Sequence, residues 1–110
     1  MIRINRNRIY LTRGDSASFT IELEDDCGNQ YFMEDGDELV FTLKKSVMDK
    51  EFIIQKRVMD YEFKLYPEET TGLTYGNYYY DIQLTKINGD VCTVVTPTLL
   101  EICPEVTFNE

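Results

Sequence analysis

Three observations predict an all-β chain. Apolar and polar residues alternate with period two through most of the sequence. Turn-forming Gly, Asn, Asp and Pro recur about every 8–12 residues. The one segment with helix-start chemistry, Pro67-Glu68-Glu69-Thr70-Thr71-Gly72, is too short to carry a fold. The chain has 110 residues, 43% of them hydrophobic. That suffices for one domain over residues 1–110 with its own core, and it is too apolar for disorder.

The elements follow in order. Ile9-Tyr10-Leu11-Thr12 reads as the first strand. Phe19, Ile21 and Leu23 alternate with Ser18, Thr20, Glu22 and Glu24, which makes a strand with one wet face. Asp25-Asp26-Cys27-Gly28-Asn29 is turn chemistry, because Gly and Asn tolerate positive φ. Tyr31-Phe32-Met33 is a short strand at most, and Asp35-Gly36-Asp37 is a second turn. Leu39, Phe41 and Leu43 then alternate with Glu38, Val40, Thr42 and Lys44. Residues 46–51 form a polar connection.

Residues 52–57 and 61–66 read as two further strands, with Tyr61, Phe63 and Leu65 inward. In residues 67–72, Pro suits a first helical position and the two Glu favour the positive end of the helix dipole. Tyr78 to Ile87 is the longest strand, with Tyr78, Tyr80, Ile82 and Leu84 on one face. Asn88-Gly89-Asp90 is a hairpin signal. Val91 to Thr96 returns beside it, Pro97 breaks that strand, and Leu99 to Ile102 resumes it. Residues 104–110 read as an edge strand or a tail.

Seven or eight short strands of this kind form a β-sandwich, with a small barrel as the alternative. A Tyr at the start of the sixth strand of Ig-like sandwiches ties the preceding corner with its hydroxyl, and Tyr75 or Tyr78 is placed to do so. There is no Trp and no Cys pair spanning the sheets. The expectation is therefore an Ig-like antiparallel β-sandwich without antibody hallmarks.

The formal net charge is -9, from 20 acids against 11 bases, with no His. Such a balance argues against a nucleic-acid partner, which needs clustered Lys and Arg. The absence of His removes Ser-His-Asp and Cys-His chemistry, His-ligated metal sites and imidazole switching. The charge is also uneven. The first 14 residues hold Arg3, Arg6, Arg8 and Arg13 and no acid, and the remainder holds 7 bases against 20 acids. Residues 1–8 read as a basic arm on an acidic body. The arm either lies on its own surface or docks on an acidic neighbour such as a second copy.

The first residues lack the apolar core of a signal peptide, and no apolar run approaches a membrane span. No membrane partner is expected. Three cysteines, Cys27, Cys92 and Cys103, suit a reducing cytoplasm and cannot make a zinc set. A Cys92–Cys103 bridge stays open on sequence alone, and Cys27 falls in an exposed turn.

Candidate sites are few. Arg13-Gly14-Asp15 spells the integrin-ligand tripeptide and equally fits a simple turn. Asp25, Asp26, Asp35 and Asp37 are calcium candidates, since two acidic loops can supply oxygen ligands. They lack EF-hand spacing, and acidic turns are commonly just solvated. No nucleophile elbow, phosphate loop or dinucleotide fingerprint occurs, so neither catalysis nor a cofactor is expected. Tyr66 and Tyr79 are the aromatic candidates for an exposed contact or sugar-stacking face; a cross-strand pair that only stabilises the sheet is the alternative.

One pattern points further. It comprises Thr12-Arg13-Gly14-Asp15-Ser16, Asp35-Gly36-Asp37 leading into Val40-Phe41-Thr42-Leu43-Lys44-Lys45, and Pro67-Glu68-Glu69-Thr70. Leu73, residues 75–84, Asn88-Gly89-Asp90, Thr93-Val94-Val95 and Glu101-Ile102 complete it. The pattern resembles small prophage proteins similar to the N-terminal domain of baseplate upper proteins from phages of Gram-positive bacteria. The resemblance implies an Ig-like attachment module without catalysis, made in the host cytoplasm and then built into the virion. Its partners would be other tail or baseplate proteins, or further copies of itself. Family members with receptor-binding or coiled-coil parts continue well past the sandwich. The expected role is thus a structural or adaptor subunit rather than host recognition. A carbohydrate-binding or adhesin-type module is the alternative.

Overall fold

A computed structural model describes residues 8–25 and 27–105, with the backbone alone at Thr96. The alternating segments become β1 (Ile9–Thr12), β2 (Ala17–Thr20), β3 (Glu38–Lys44), β4 (Ile54–Arg57), β5 (Glu62–Leu65), β6 (Gly76–Thr85) and β7 (Val91–Cys103). The single helical turn, α1, spans Pro67–Thr70. Its first turn is closed by Glu69, whose Oε1 accepts the Tyr66 N–H at 2.8 Å.

The strands form two sheets that share no member. Five strands lie in the order β1-β7-β6-β3-β4, and β2 pairs with β5. The run β7-β6-β3-β4 against β2-β5 matches the Ig-like arrangement of a larger sheet facing a smaller one. One expectation needs correcting. The large sheet is mixed, because β1 runs parallel to β7. These strands come from distant parts of the sequence, so no tight hairpin forces them antiparallel.

The core fills the space between the sheets. Leu39, Phe41 and Leu43 on β3 and Tyr78, Tyr80, Ile82 and Leu84 on β6 are buried, as the alternation predicts. Phe63 and Leu65 on β5, with Ile21 and Leu23 beyond β2, meet them from the other side. The Phe41 ring stacks on Phe63 at 4.6 Å and lies 5.4 Å from Tyr80, so it bridges the two sheets. Phe63 stacks in turn on Phe19 at 5.0 Å.

Several elements differ from expectation, each for a physical reason. β7 does not break at Pro97. Its pairing with β6 shifts register on both sides of Ile82, so one strand runs through the proline. β1 covers only Leu100 to Cys103, so the missing N–H of Pro97 faces no described neighbour strand. The shift also explains why adjacent Val94 and Val95 are both buried. Ile21 and Leu23 remain inward although β2 ends at Thr20. Their partner strand gives way to a turn in which Asp60 and Tyr61 take left-handed φ of 52° and 62°. That turn leaves Tyr61 half-buried rather than in the core, its hydroxyl accepting the Met33 N–H at 2.7 Å. Residues 31–33 form no strand, and β4 begins only at Ile54.

Turn glycines fit where predicted. Gly36 has φ 91°, and a Cβ there would lie 2.6 Å from Ile87 Cδ1. The 34–37 turn therefore packs tightly under the β6–β7 hairpin. Tyr78, rather than Tyr75, makes the corner: its hydroxyl donates to the Thr74 carbonyl at 2.8 Å.

Candidate interaction face

The outer face of the large sheet follows from the same alternation. With Tyr78 and Tyr80 inward, Tyr79 and Asp81 point outward, as do Thr42 and Lys44 opposite them on β3. The ladder sets Leu99 beside Tyr79 on one side and Lys44 on the other. Ile53 continues this row, since Ile54 pairs with Leu43 and the Ile53 N–H donates to the Leu43 carbonyl at 2.7 Å. In the next row the Gln55 amide donates to the Thr42 hydroxyl at 3.2 Å. Val47 folds back over this surface, closing a small groove with Thr42, Lys44, Tyr79, Asp81 and Pro97. Burial in that groove pushes the Asp81 carboxyl pKa up, and the nearby Lys44 charge opposes it.

The β3–β4 connection extends the face. Lys44 Nζ donates to the Asp49 carbonyl at 2.7 Å, and the Ser46 N–H donates to Asp49 Oδ2 at 3.2 Å. These ties engage Ser46 and Asp49, while Lys50 and Glu51 stay exposed. Val47, Met48 and Phe52 are left 47%, 87% and 53% exposed, next to Ile53 at 38%. The sequence marks residues 46–51 as a polar connection and does not show this cluster. The available signal was Val47-Met48 inside a connection with no inner face to turn to.

Tyr79 lies at the centre of this face, half-buried. Tyr66 does not join it. It follows the inward Leu65 on the small sheet, with Lys56 and Lys64 over its ring at 5.0 and 5.2 Å. Tyr79 lies on the outer face of the large sheet, whereas Tyr66 follows β5 of the small sheet, beside the β4 edge. Arg8 is exposed just before β1, while Arg3 and Arg6 lie outside the described residues.

Arg13 is occupied at home. Its Nε donates to Glu105 Oε2 at 3.1 Å, its Nη1 donates to the Leu73 carbonyl at 3.3 Å, and its guanidinium stacks on Tyr75 at 4.3 Å. The Tyr75 hydroxyl donates to Glu105 Oε1 at 2.6 Å. The Tyr75 hydrogen bond first, then a hydrogen bond from its own backbone and after it Arg13, hold the Glu105 carboxyl below its usual range against a smaller opposing effect of burial. Gly14 is tied as well, its N–H donating at 2.9 Å to Oγ1 of the fully buried Thr70. The tripeptide is thus a structural turn that joins three segments. Glu105 serves that tie, and 106–110 lie outside the described residues.

The acidic turns are also committed internally. Asp25 Oδ1 accepts the N–H groups of Cys27 and Asn29 at 2.9 and 3.0 Å. Asp35 is exposed, and Asp26 lies outside the described residues. Asp37 Oδ2 accepts the Tyr31 hydroxyl at 2.8 Å and the Glu34 N–H at 3.0 Å. Lys86 Nζ donates to the Tyr31 hydroxyl at 2.7 Å and to Glu34 Oε1 at 3.2 Å. Among the described residues, no three acids or cysteines gather as a metal cluster. Cys92 and Cys103 stand eleven residues apart near opposite ends of β7, roughly 36 Å at about 3.3 Å per residue, which removes a bridge between them.

The Asp37 network has a pH signature. Burial alone would raise the Asp37 pKa, but the Glu34 N–H, the Tyr31 hydroxyl and the Lys86 charge outweigh it and hold the carboxyl low. A depressed carboxyl adds stability above its unfolded pKa of about 3.9, and that stability is lost as pH falls through the folded value. Asp37→Asn is expected to cost about 1 kcal/mol at neutral pH, a low figure because solvent reaches the site. Thermal melts should show the stability gap between the native chain and the variant closing as pH falls through the lowered folded pKa of Asp37, below the ordinary carboxylate range.

These features define an Ig-like β-sandwich with an outward face of mixed apolar and charged character. Neither known protein-family models nor curated proteins match the chain. Among the described residues, no helix is long and apolar enough to cross a membrane.

Proposed function

We propose that the chain is a non-enzymatic attachment module acting through protein–protein contacts, and that it serves as a structural or adaptor subunit of a phage tail or baseplate. The observation that carries the contact reading is the exposed group Val47, Met48, Phe52 and Ile53 continuing into Tyr79 and Leu99. Apolar side chains gathered at one end of a sheet face mark a surface that another protein covers. The phage assignment rests on the resemblance carried by residues 12–102. A sugar-binding reading draws no such support, because Tyr79 lies on the outer face of the large sheet and Tyr66 follows a strand of the small one.

The test is co-expression with the tail and baseplate proteins encoded beside its own gene, followed by purification of the complex. A stoichiometric complex is expected. The double variant Met48→Asp/Phe52→Asp should abolish it while shifting stability by no more than about 0.5 kcal/mol, since both side chains are exposed. Failure of every such protein to bind, or a complex indifferent to the double variant, overturns the reading.

A further inference from the structure

We infer that the outer face of the large sheet is covered by the same face of a second copy of this chain, with Lys44 of each copy set against Asp81 of the other. The inference rests on the reading of this face as a contact surface, and it names the occupant. Apolar side chains cross the whole sheet at one end. They run from Tyr10 on β1, 61% exposed, past Leu99 and Tyr79 to Ile53 beside β4.

Charge selects what covers them. The outward positions of the sheet hold Lys44 and Arg57 against Glu38, Asp81 and Glu101, which is close to neutral. The other described residues hold 7 bases against 15 acids, so copies meeting through the rest of the surface repel. On the face itself, Glu38 and Arg57 are already paired with each other. Lys44 and Asp81 stand diagonally, Lys44 opposite Tyr79 and Asp81 opposite Thr42, and no ion pair closes between them. The half-buried Asp81 carboxylate takes no hydrogen bond or ion pair among the described residues. Lys44 Nζ spends one proton on the Asp49 carbonyl and keeps two.

A face with one free acid and one free base beside an apolar centre is its own complement under a two-fold axis. A basic partner would meet Lys44 and an acidic one Asp81, whereas a second copy satisfies both at once. On the ladder, the line midway between Lys44 and Asp81 passes within about 2 Å of the Tyr79 Cα. An axis along that line, in the plane of the interface, also brings the two Tyr79 rings together. The size is adequate. Four strands are about 19 Å wide and Tyr79 to Thr85 is about 24 Å long, so two such faces cover about 900 Å². The exposed Val47, Met48 and Phe52 raise that toward the roughly 1,200 Å² at which stable interfaces begin.

The test is sedimentation velocity on the full chain alone over a concentration series. The native chain should form a dimer and nothing larger, because a two-fold contact closes on itself. Lys44→Glu and Asp81→Lys should each weaken the dimer about tenfold. Mixing those two variants should restore it, because each offers the charge that the other lacks. That recovery also shows that both fold. Asp81→Asn, which keeps one of the two ion pairs in the mixture, serves if Asp81→Lys misfolds. A native chain that stays monomeric overturns the proposal. So does a dimer indifferent to both reversals, or a mixture no stronger than its parts. A monomer that still loses its tail partner in Met48→Asp/Phe52→Asp sinks the second copy and leaves the attachment reading standing. A dimer that captures no tail protein does the reverse.

Discussion

Phe41→Ala should lower the unfolding free energy by about 3–5 kcal/mol, which for a chain of this size lowers Tm by about 12 °C or more. Phe41 is fully buried and is the ring through which the sheets touch, stacked on Phe63 and tilted against Tyr80. Truncation removes its transfer free energy and leaves a cavity bounded by β3, β5 and β6, three strands fixed by backbone ladders that cannot collapse inward. Phe19→Ala is the comparison. Phe19 stacks on the same Phe63 from the edge strand β2 and is only half-buried, so its truncation leaves a smaller void that solvent can partly fill. Calorimetry or thermal circular dichroism should rank Phe41→Ala well above Phe19→Ala. Equal losses would mean that Phe41 does not bridge the sheets.

The parts of the fold that period two dictates were legible in advance. The inward sets of β3 and β6 follow from alternation alone, because a residue out of phase would put a charge in the core. What was not legible depends on neighbours that a sequence does not name. Pro97 is compatible with β7 only because β6 shifts register there and β1 stops at Leu100. Phe52 and Ile53 look like strand residues, yet they stand exposed because β4 starts at Ile54. The direction of β1 is a long-range choice that no local pattern encodes.

The candidate sites divide the same way. Tyr79 was legible as outward because its neighbours Tyr78 and Tyr80 were legible as inward. Its separation from Tyr66 was not, since that depends on which sheet each strand joins. The four arginines of the first 14 residues do not act as one unit. Arg13 is drawn off by Glu105, a residue 92 positions away, so the arm itself keeps three charges. The acidic turns likewise showed their composition but not their occupation. Asp25 and Asp37 are consumed by backbone N–H groups and by Tyr31 before any cation is considered.

Tyr78→Phe tests whether the corner is fixed by one hydroxyl. The ring is 2% exposed and stays in place in the variant, so packing is unchanged and only the hydrogen bond is lost. The Tyr78 hydroxyl donates to the Thr74 carbonyl at 2.8 Å and lies 3.0 Å from the Thr74 hydroxyl. Those two groups hold the chain as it leaves α1 and turns into β6, the strand that pairs on both sides within the large sheet. The expected cost is about 1–2 kcal/mol, or roughly 5–10 °C in Tm. Tyr75→Phe is the control. It loses a bond of 2.6 Å to Glu105, but that bond is exposed and water replaces it, so the cost should stay below about 0.5 kcal/mol. If the two variants melt together, the corner is held by burial of the Tyr78 ring and its hydroxyl is incidental. If Tyr78→Phe alone loosens the chain, hydrogen exchange should locate the loss at residues 72–77, where the turn feeds β6.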